Sequence, residues 1–480
     1  MKLLTIFSLL QIAYCDAEKR AGRWREEEET VSYWKDLGKE QLMKNLQKQP
    51  VVKRAKNVIV FMGDGMGIQT VTAGRILKGQ KRGQNGESFV TSMESLDWTG
   101  LAKTYSVDVQ TPDSASTANA LFSGVTAKVD FRESCETIPE EEKKWQDEIM
   151  EEKQDQSVAE SILVKAKKDG KKTTLVTTTR LTHATPSAIY GHYADRWHEK
   201  TKPGDTCPSI AKQLVQKAIF FDIIFGGGMK NIGLELDDLH THKIITTKEE
   251  LQKLNETDSY LGIFAHNHLP YKTDREPETD PSLLEMTLAA LKNIEQHEEG
   301  FAMIVEGGRI DHGHHDNLAH KALEEFVEFD DTIEAVLKRV NLDKEETLII
   351  VTADHSHSFT ITGYGKRNSS VFGDATISIK HSQKWDKRFP GTFTKIQYAQ
   401  SKAPEDQKYN QPEEVTHHKN HLFSGSVSKN DVDHGADDVP VYASGPMSHL
   451  LVGTYEQSYV FTVMMYALCL EEYKKFEHCQ

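Results

Sequence analysis

Residues 57–67 of this chain read NVIVFMGDGMG, an apolar run that ends in closely spaced glycines around Asp64. Such a run predicts a buried strand, and the glycines predict a tight turn that brings Asp64 into the open. Similar runs recur along the chain with helical patterns between them, for example at Pro281–Glu295. The predicted strands are Asn57–Met62, Thr173–Thr178, Phe221–Phe225, Phe301–Val305, Thr347–Thr352 and Val439–Ala443. This alternation predicts an α/β fold with a central, mainly parallel sheet sandwiched by helices.

Polar side chains follow several of these strands. They are Asp64, Glu306, Asp354 and His355, and His434 comes shortly before the last strand. Ligands of open α/β sheets bind at the carboxyl ends of the strands, so these side chains are expected to meet. Acidic groups gathered at one edge would repel one another and lose hydration unless a cation lies among them. The pattern therefore predicts a metal cluster.

Composition limits the partners of the protein. The chain has 480 residues, of which 38% are hydrophobic, and its formal net charge is -15. This acidity argues against binding to nucleic acid or to an anionic membrane, because both would be repelled at long range. An anionic substrate would therefore need a local positive site, such as bound metal or a single arginine.

The two ends of the chain predict a secreted, extracellular protein. Lys2 precedes an apolar run from Leu3 to Tyr14 that is too short to span a bilayer, and we interpret residues 1–17 as a signal peptide. The last residues, Glu471–Gln480, are polar, so we predict no lipid anchor. Residues 18–50 are interpreted as an N-terminal arm, with a helix at Ser32–Lys48 that packs on a partner subunit or on its own domain.

One large domain is predicted over residues 51–480. Within it, residues 366–431 are rich in Ser, Lys, Asn, His and Gln and have weak periodicity. We interpret this stretch as a crown-like insertion that projects from the sheet and returns to the site at His434.

Cysteine usage agrees with an oxidising compartment. Cys15 lies in the signal peptide, and the remaining cysteines are Cys135, Cys207, Cys469 and Cys479. Spacing alone permits three pairings of these four residues, of which pairing by neighbourhood is the simplest. Two sequons, at Asn255 and Asn368, are predicted glycosylation sites.

Ser114 is the candidate nucleophile. It opens a predicted helix over Ser114–Ser123, where a serine is often only an N-cap. The same position directs backbone N–H groups and the positive end of the helix dipole at an anion, which suits a phosphate on the hydroxyl. No partner histidine in a triad arrangement is evident, so a metal would have to lower the pKa of the serine.

The strongest single motif is EGGRIDHGHH at residues 306–315. Asp311 and His315 are four residues apart, so they face the same direction on a helix, as zinc ligands require. Glu306 lies in a different part of the site and suits a harder cation. With Thr185 and Arg196, the candidates include ligands for two zinc ions, a site for Mg²⁺ and a guanidinium for phosphate.

Six stretches together resemble the alkaline phosphatase family, in particular its animal members. They occur in the family's order between about Val31 and Cys479 and read VIVFMGDGMG, PDSASTANAL, TTTRLTHATPSAIYGHYADR, VEGGRIDHGHH, VTADHSHSFTITGY and DHGADDVPVYASGP. The resemblance implies the family's fold and a secreted enzyme that hydrolyses phosphate monoesters at alkaline pH over a broad substrate range. It also implies a homodimer, with Tyr364 and the Ser32–Lys48 arm as interface candidates.

The resemblance implies a role for each site residue. Ser114 would attack phosphorus to form a phosphoseryl intermediate, and Arg196 would clamp two phosphate oxygens. The first zinc would be held by Asp311, His315 and His434; the second, which lowers the pKa of Ser114, by Asp64, Asp354 and His355; and Mg²⁺ by Asp64, Thr185 and Glu306. His183 and His312 would lie just outside these ligands. The implied disulfides are Cys135–Cys207 and Cys469–Cys479.

Alternatives exist for the calcium site and for the class of reaction. Animal members often bind calcium near Phe264–Asp280, but Ala265 stands here where the family has glutamate. Asp280 and the Phe264 carbonyl remain, and Glu235 or Asp237 would have to substitute. The alternative functions are a related phosphodiesterase, a sulfatase, or a non-catalytic secreted glycoprotein of the same fold.

Overall fold

A ten-stranded sheet forms the centre of the molecule in the computed structural model, which describes Glu28 and residues 30–127, 159–191, 196–202, 208–255, 257–340, 346–376, 392–403 and 410–480. The predicted signal peptide, Cys135 and Cys207 lie outside the described residues. The predicted arm and insertion are described in part, and their boundaries stay predictions.

The strands are β1 Asn57–Gly63, β2 Trp98–Lys103, β3 Lys172–Arg180, β4 Ile223–Gly227, β5 Lys243–Ile245, β6 Tyr260–Ile263, β7 Phe301–Gly307, β8 Thr347–Ala353, β9 Ser356–His357, β10 Phe359–Ile361, β11 Asp374–Thr376, β12 Thr392–Thr394, β13 Ile396–Ser401, β14 Gly425–Ser428, β15 His434–Gly435, β16 Val439–Ser444 and β17 Gly453–Glu456. Each strand predicted from the sequence is present, with its ends displaced by at most two residues.

The helices are α1 Val31–Gln47, α2 Ile68–Lys81, α3 Ser114–Ser123, α4 Ile162–Lys168, α5 Ala184–Tyr190, α6 Ile210–Lys217, α7 Met229–Ile232, α8 Lys248–Leu251, α9 Leu283–Ile294, α10 Arg309–His315, α11 Ala319–Val340, α12 Glu413–Thr416 and α13 Tyr459–Leu468. Short 3₁₀ turns lie at Met93–Ser95, Ala218–Phe220, Gly233–Asp238, Ser448–Leu451, Glu471–Lys475 and Glu477–Cys479.

The strand order in the large sheet is β17-β2-β16-β8-β1-β7-β3-β4-β6-β5. Neighbouring strands pair in parallel except at β16, which is antiparallel to both β2 and β8. This confirms the predicted mainly parallel α/β fold. The central strands β1, β7 and β8 are buried over their full length, as is expected for a parallel sheet with both faces covered.

Two groups of helices provide that cover. Helices α2, α9 and α10 each pack on α11, and α11 contacts β1 and β7. Helices α3, α4, α5 and α13 form the second group, in which α13 contacts β1 and α4 contacts β7. Among the described residues, no helix is both long enough and apolar enough to span a membrane.

Residues from the predicted insertion form small sheets of their own. β13 pairs with β10 and β14, and β11 pairs with β12, apart from the central sheet. β15 then pairs with β9, which places His434 opposite His357. The chain therefore returns beside the end of β8, as the sequence predicts for His434.

A Cys469–Cys479 disulfide closes the C-terminal end of the described chain. This pair agrees with the predicted pairing by neighbourhood. The second predicted pair, Cys135–Cys207, involves residues that the structure does not describe and stays a prediction.

A buried ion pair ties α2 to α11. The Lys78 ammonium donates to Asp330 at 2.5 Å, and Asp330 also accepts the backbone N–H groups of Ser92 and Met93. Lys78 and Asp330 are 1% and 0% exposed. Removing one partner of such a pair leaves an uncompensated buried charge, which costs about 3–5 kcal/mol.

We expect Lys78→Met to lower the free energy of unfolding by roughly that amount, about 3–5 kcal/mol. Denaturation in urea, followed by far-UV circular dichroism, measures the change. The matched control is Lys81→Met on the same helix, because the Lys81 side chain stays 42% exposed in its pair with Glu324 and should contribute less, about 1 kcal/mol. Equal effects of the two substitutions would show that the buried pair is not a tie between the helices.

Candidate active site and metal centre

Three adjacent parallel strands set the position of the site. In the register of the sheet, Gly63 at the end of β1 lies opposite Gly307 of β7 and Ala353 of β8. Asp64 and Asp354 follow directly, and Glu306 is the penultimate residue of β7. Because parallel strands end at the same edge, the three carboxylates meet there, and each is 0% exposed.

The first candidate metal group contains Asp64, Asp354 and His355, which the sequence analysis assigns to one zinc ion. Their ligand atoms lie within 4.8 Å of one another. His355 Nε2 is 3.3 Å from Asp354 Oδ2 and 3.5 Å from Asp64 Oδ1. The structure thus brings all three predicted residues together.

The second candidate group contains the predicted residues Asp311, His315 and His434, together with His357. His315 Nε2 is 3.3 Å from Asp311 Oδ2, which reflects their spacing on α10, and His434 Nε2 is 3.6 Å from Asp311 Oδ1. His357 donates from Nε2 to Asp311 Oδ1 at 2.7 Å. Sequence reasoning missed His357, although it lies two residues after His355 and therefore on the same side of the extended chain.

Backbone carbonyl groups determine how three of these histidines present their nitrogens. Nδ1 lies 3.1 Å from Ser356 O in His355, 2.6 Å from Val432 O in His315 and 2.8 Å from Pro112 O in His434. A carbonyl oxygen only accepts, so in the neutral ring each Nδ1 carries the proton and each Nε2 is left with a lone pair. The Nε2 atoms of His315 and His434 then face each other at 3.0 Å. This is the arrangement of histidines that bind a metal through Nε2.

Oxygen atoms make up the third predicted group, Asp64, Thr185 and Glu306. Asp64 Oδ2, Thr185 Oγ1 and Glu306 Oε1 are all buried and have no hydrogen-bond partner among the described residues. Buried polar atoms without partners are uncommon, and each of these three needs an explanation. An oxygen-only set of this kind suits a hard cation such as Mg²⁺.

The carboxylates shift one another's pKa values because they lie together at this buried edge of the sheet. Burial and the nearby Asp354 and Asp311 charges raise the pKa of Asp64 well above its ordinary value. Burial raises the pKa of Glu306 to about 7, and burial with the Asp311 charge raises that of Asp354 to about 6. Burial also acts to raise the pKa of Asp311, but His315 and His357 outweigh it and hold that pKa well below the ordinary value. Divalent cations bound among these carboxylates would remove the repulsion between them, so the residues fit the metal ions that the sequence predicts.

Ser114 is the first residue of α3, and the cap of this helix is its neighbour Asp113. Asp113 accepts the backbone N–H groups of Ala115 and Ser116 at 3.2 and 3.1 Å. The alternative role of Ser114 as a simple cap is therefore taken by Asp113. The Ser114 hydroxyl is instead directed at the first metal group, where it donates to Asp64 Oδ1 at 3.4 Å.

A histidine does lie beside the serine, which the sequence did not predict. His355 Nε2 is 3.1 Å from Ser114 Oγ. The second nitrogen of His355 binds the Ser356 carbonyl rather than a carboxylate, so the pair lacks the acid that orients the histidine of a triad. The expectation that Ser114 is not part of a triad is consistent with this geometry.

Arg196 reaches the site through Asp113. Its Nη1 donates to Asp113 Oδ2 at 2.9 Å, next to the serine in the chain. Burial acts to raise the pKa of Asp113, but Arg196 and the capping hydrogen bonds outweigh it, and the pKa is lowered. A guanidinium thus lies near the helix end that carries Ser114, where the sequence predicts a phosphate clamp.

His183 and His312, predicted just outside the ligands, belong to a third group with His268. The ring centroid of His183 is 5.0 Å from that of His312 and 5.2 Å from that of His268. The centroids of His268 and His312 are 4.3 Å apart. Sequence reasoning missed His268. It follows β6, a strand that was not predicted from the sequence. Candidate site residues were sought at the ends of predicted strands, so His268 was not found.

The remaining predicted sites lie outside these three groups. Asp280 accepts the Glu276 N–H at 3.0 Å within its own turn, and Glu235 accepts Thr201 Oγ1 at 2.6 Å. Among the described residues, neither belongs to a cluster of candidate metal ligands, and calcium stays a prediction. Asn255 is exposed and accepts Thr257 Oγ1 at 3.0 Å, whereas Asn368 Oδ1 is buried.

We expect Glu306→Gln to have opposite effects on stability with and without metal. The folded-state pKa of Glu306, about 7, lies above its ordinary value of 4.5, so the folded chain binds this proton more tightly. In the metal-free protein, the stability that this group contributes is lost as pH rises from about 4.5 through 7. Glutamine removes the charge, so in chelator it should raise the melting temperature at pH 8 and much less at pH 5. In metal-loaded protein it should lower the melting temperature, because a ligand is lost.

Differential scanning calorimetry in chelator and in zinc plus magnesium measures both effects. The control is Glu325→Gln, since burial also raises the pKa of Glu325 to about 7, but this residue is outside the candidate metal groups. The control should respond equally with and without metal. A lower melting temperature of Glu306→Gln in both conditions would contradict the prediction.

Comparison with known proteins agrees with these observations. A family model described as alkaline phosphatase matches residues 55–470. The chain is 37% identical over 506 residues to the tissue-nonspecific alkaline phosphatase of Rattus norvegicus, with 95% of this chain and 91% of that protein covered. It is 36% identical over 517 residues to alkaline phosphatase 4 of Drosophila melanogaster, with 94% and 84% covered.

Among solved structures, the alkaline phosphatase of Thermus thermophilus matches with a TM-score of 0.62 at 24% identity, covering 89% of this chain and 94% of that chain. At this identity the likeness supports the fold. The family model and the curated relatives go further: this chain belongs to the alkaline phosphatase family of metal-dependent phosphomonoester hydrolases.

Proposed function

We propose that this chain hydrolyses phosphate monoesters through a covalent phosphoseryl intermediate on Ser114. The observation that carries the proposal is the position of the Ser114 hydroxyl. It lies within 3.4 Å of Asp64 and 3.1 Å of His355, two candidate ligands of one metal, and at the first turn of a helix.

The residues fit two zinc ions and one magnesium ion. Asp311, His315 and His434 would hold the first zinc, with His357 positioning Asp311; Asp64, Asp354 and His355 would hold the second; and Asp64, Thr185 and Glu306 would hold magnesium. When bound, such ions lower the pKa of a nearby hydroxyl or water and stabilise the charge on entering and leaving oxygens. We place Ser114 among the groups that contact the second zinc.

The chain's own groups do the positioning. Asp64 would orient the Ser114 hydroxyl through their hydrogen bond. The serine would lose its proton to solvent, its oxygen would attack phosphorus in line with the leaving alcohol, and that alcohol would take up a proton as its bond to phosphorus breaks. Water would then hydrolyse the phosphoserine, which returns free Ser114 and releases phosphate. The N-terminal N–H groups of α3 and the positive end of its dipole favour the phosphate that then resides on the serine. Arg196, held at the site by Asp113, supplies paired donors for two phosphate oxygens. Phosphoryl transfer needs mainly this positioning and charge stabilisation.

Few groups in this arrangement recognise anything beyond the phosphate, so we infer a broad range of monoester substrates. Activity should rise toward alkaline pH, as the names of the relatives indicate. We further propose an extracellular location, with Asn255 as the more accessible of the two glycosylation sites.

A homodimer is proposed on the basis of α1. This helix contains no buried residue and exposes Trp34, Leu42 and Leu46 by 54%, 56% and 64%. Large apolar side chains along a helix are normally buried against something, and a second copy of the chain would cover them. Tyr364, 64% exposed, is a second interface candidate.

Ser114→Ala is expected to abolish hydrolysis of a chromogenic phosphate monoester at alkaline pH, because no oxygen remains to carry the phosphoryl group. Loss of a nucleophile with its supporting groups intact typically lowers kcat by about 10⁴-fold or more. Steady-state assays before and after treatment with chelator measure this, and wild-type activity should return when zinc and magnesium are restored.

The matched control is Ser123→Ala at the other end of the same helix, which should keep near wild-type kcat. Equal activity of Ser114→Ala and wild type would disprove the nucleophile. A phosphodiester and a sulfate ester assayed in parallel separate the other enzyme classes, and activity on none of the three esters would favour a non-catalytic protein.

Deletion of residues 30–48 is expected to convert a dimer into a monomer, because it removes the apolar surface of α1. Size-exclusion chromatography with light scattering measures the mass, and wild type should have twice the mass of one chain. Replacing the exposed Lys39 and Lys44 of the same helix with glutamine is the control and should leave the dimer intact. A monomeric wild-type protein would contradict the proposal.

A further inference from the structure

Arg196, the proposed phosphate clamp, lies in a stretch of chain, residues 196–202, that contains no helix or strand. Its guanidinium donates to Asp113 at 2.9 Å. An arginine side chain is long and has many rotamers, so the direction of its donors depends on how its backbone is held. The contacts of the neighbouring residues in this stretch therefore bear on how phosphate is bound.

Four hydrogen bonds converge on the carboxylate of Glu199, three residues after Arg196. Arg180 donates from Nε to Oε2 at 2.8 Å and from Nη2 to Oε1 at 2.6 Å, which is the paired geometry of a strong ion pair. Thr182 Oγ1 and Asn231 Nδ2 each donate to Oε2 at 2.5 Å. The side chains of Arg180 and Glu199 are only 10% and 13% exposed, so solvent weakens this pair little.

Arg180 is a fixed anchor for this carboxylate. It is the last residue of β3, which pairs with β4 on one side and with β7, the strand of Glu306, on the other. Its third nitrogen, Nη1, donates to Asn267 Oδ1 at 3.2 Å and lies against the ring of His268. Glu199 is therefore attached to the same edge of the sheet as the candidate metal ligands.

The main chain of the stretch is held as well. The carbonyl oxygens of His198 and Glu199 accept the N–H groups of Ile210 and Ala211, each at 3.0 Å. These donors are the first two residues of α6. Glu199 is thus fixed to β3 through its side chain and to α6 through its carbonyl group.

We propose that Glu199 is a positioning residue for the phosphate clamp Arg196. Its ion pair with Arg180 holds the backbone of residues 196–202 against the sheet edge, and Asp113 then orients the guanidinium at the tip of Arg196. Glu199 contacts no substrate and acts through the arginine. The inference rests on the proposed function, because it takes phosphate to be the ligand of Arg196.

Glu199→Gln tests the role, since glutamine has the size of glutamate but leaves Arg180 without its counter-charge. The matched control is Glu328→Gln. Arg275 donates to both oxygens of Glu328 at 2.8 and 2.5 Å, with side chains 14% and 8% exposed. Glu328 lies outside the candidate metal groups. The two substitutions therefore disrupt ion pairs of similar geometry and burial, and only one of these pairs holds the stretch of Arg196.

Calorimetric titration of metal-loaded Ser114→Ala protein with inorganic phosphate measures binding without turnover. In that background we expect Glu199→Gln to weaken phosphate binding by about tenfold or more, the value of one charge-assisted hydrogen bond. Glu328→Gln should stay within about twofold of the parent. Equal phosphate binding by Glu199→Gln and its parent would overturn the proposal.

Kinetics of the enzyme with Ser114 intact separate positioning from a purely structural role. A structural role lowers the fraction of folded enzyme and with it the apparent kcat, and it leaves KM and the inhibition constant of phosphate unchanged. Loss of positioning raises both constants, because the guanidinium is misplaced in enzyme that is folded. We expect both constants to rise in Glu199→Gln and neither to rise in Glu328→Gln.

A double-mutant cycle shows whether Glu199 acts through Arg196. Arg196→Ala alone should weaken phosphate binding. Adding Glu199→Gln should then have no further effect beyond about twofold, because the group that Glu199 positions is already absent. Additive effects, or an Arg196→Ala protein that binds phosphate as its parent does, would overturn the proposal.

Thr182→Val is a milder second variant. It removes one of the hydrogen bonds to Glu199 and keeps both the ion pair and the shape of the buried side chain. We expect phosphate binding to weaken by about threefold, less than in Glu199→Gln. If Glu199→Gln does not fold, Thr182→Val decides the question, and binding equal to that of the parent would overturn the proposal.

Failure of this inference can be distinguished from failure of the proposed function. A wild-type protein that binds phosphate through Arg196 but hydrolyses no phosphate monoester would contradict the proposed function and leave the role of Glu199 standing. An active wild-type enzyme whose phosphate binding does not change in Glu199→Gln would contradict the role of Glu199 and leave the proposed function standing.

Discussion

Four carboxylates share one dry edge of the sheet, and most features of this molecule follow from that constraint. Asp64, Glu306, Asp311 and Asp354 are each 0–2% exposed, and parallel neighbouring strands leave three of them no direction in which to separate. Burial raises the pKa values of Asp64, Glu306 and Asp354, so these three resist ionisation, whereas His315 and His357 hold the pKa of Asp311 low. Divalent cations would resolve the repulsion, and the surrounding histidines would supply neutral donors to them.

The backbone around this edge also positions the candidate metal ligands. Gly65 has φ +66°, and a Cβ at this position would lie about 3 Å from Asp311 and His357, so only glycine lets the turn after β1 approach the second metal group. Carbonyl oxygens of Ser356, Val432 and Pro112 set the tautomers of three histidines. Irregular chain near β9 and β15 therefore contributes through its main chain as much as through its side chains.

The polarity of outer partners separates two kinds of histidine in one site. A histidine backed by a carbonyl presents a lone pair, and a histidine backed by an N–H group presents a proton. Residue type alone cannot distinguish them, because the difference lies in which main-chain or guanidinium group is packed behind the ring. Carbonyl oxygens lie behind His315, His355 and His434, whereas the Arg309 guanidinium lies behind His312.

Local sequence determined the elements and the residue types of the site. Apolar runs specify β1, β3, β4, β7, β8 and β16 because strands buried on both faces must be apolar throughout, and the four-residue spacing of Asp311 and His315 places both on one face of α10. The tertiary structure alone decided the order of the strands, the antiparallel direction of β16, and the arrival of His357 and His268 beside residues distant in the chain. These outcomes depend on contacts between segments tens to hundreds of residues apart, and so do the tautomers, since the Pro112 carbonyl lies behind His434 across 322 positions. No periodicity within a short window records such contacts, which is why sequence predicted the candidate ligands and only the fold revealed what surrounds each of them.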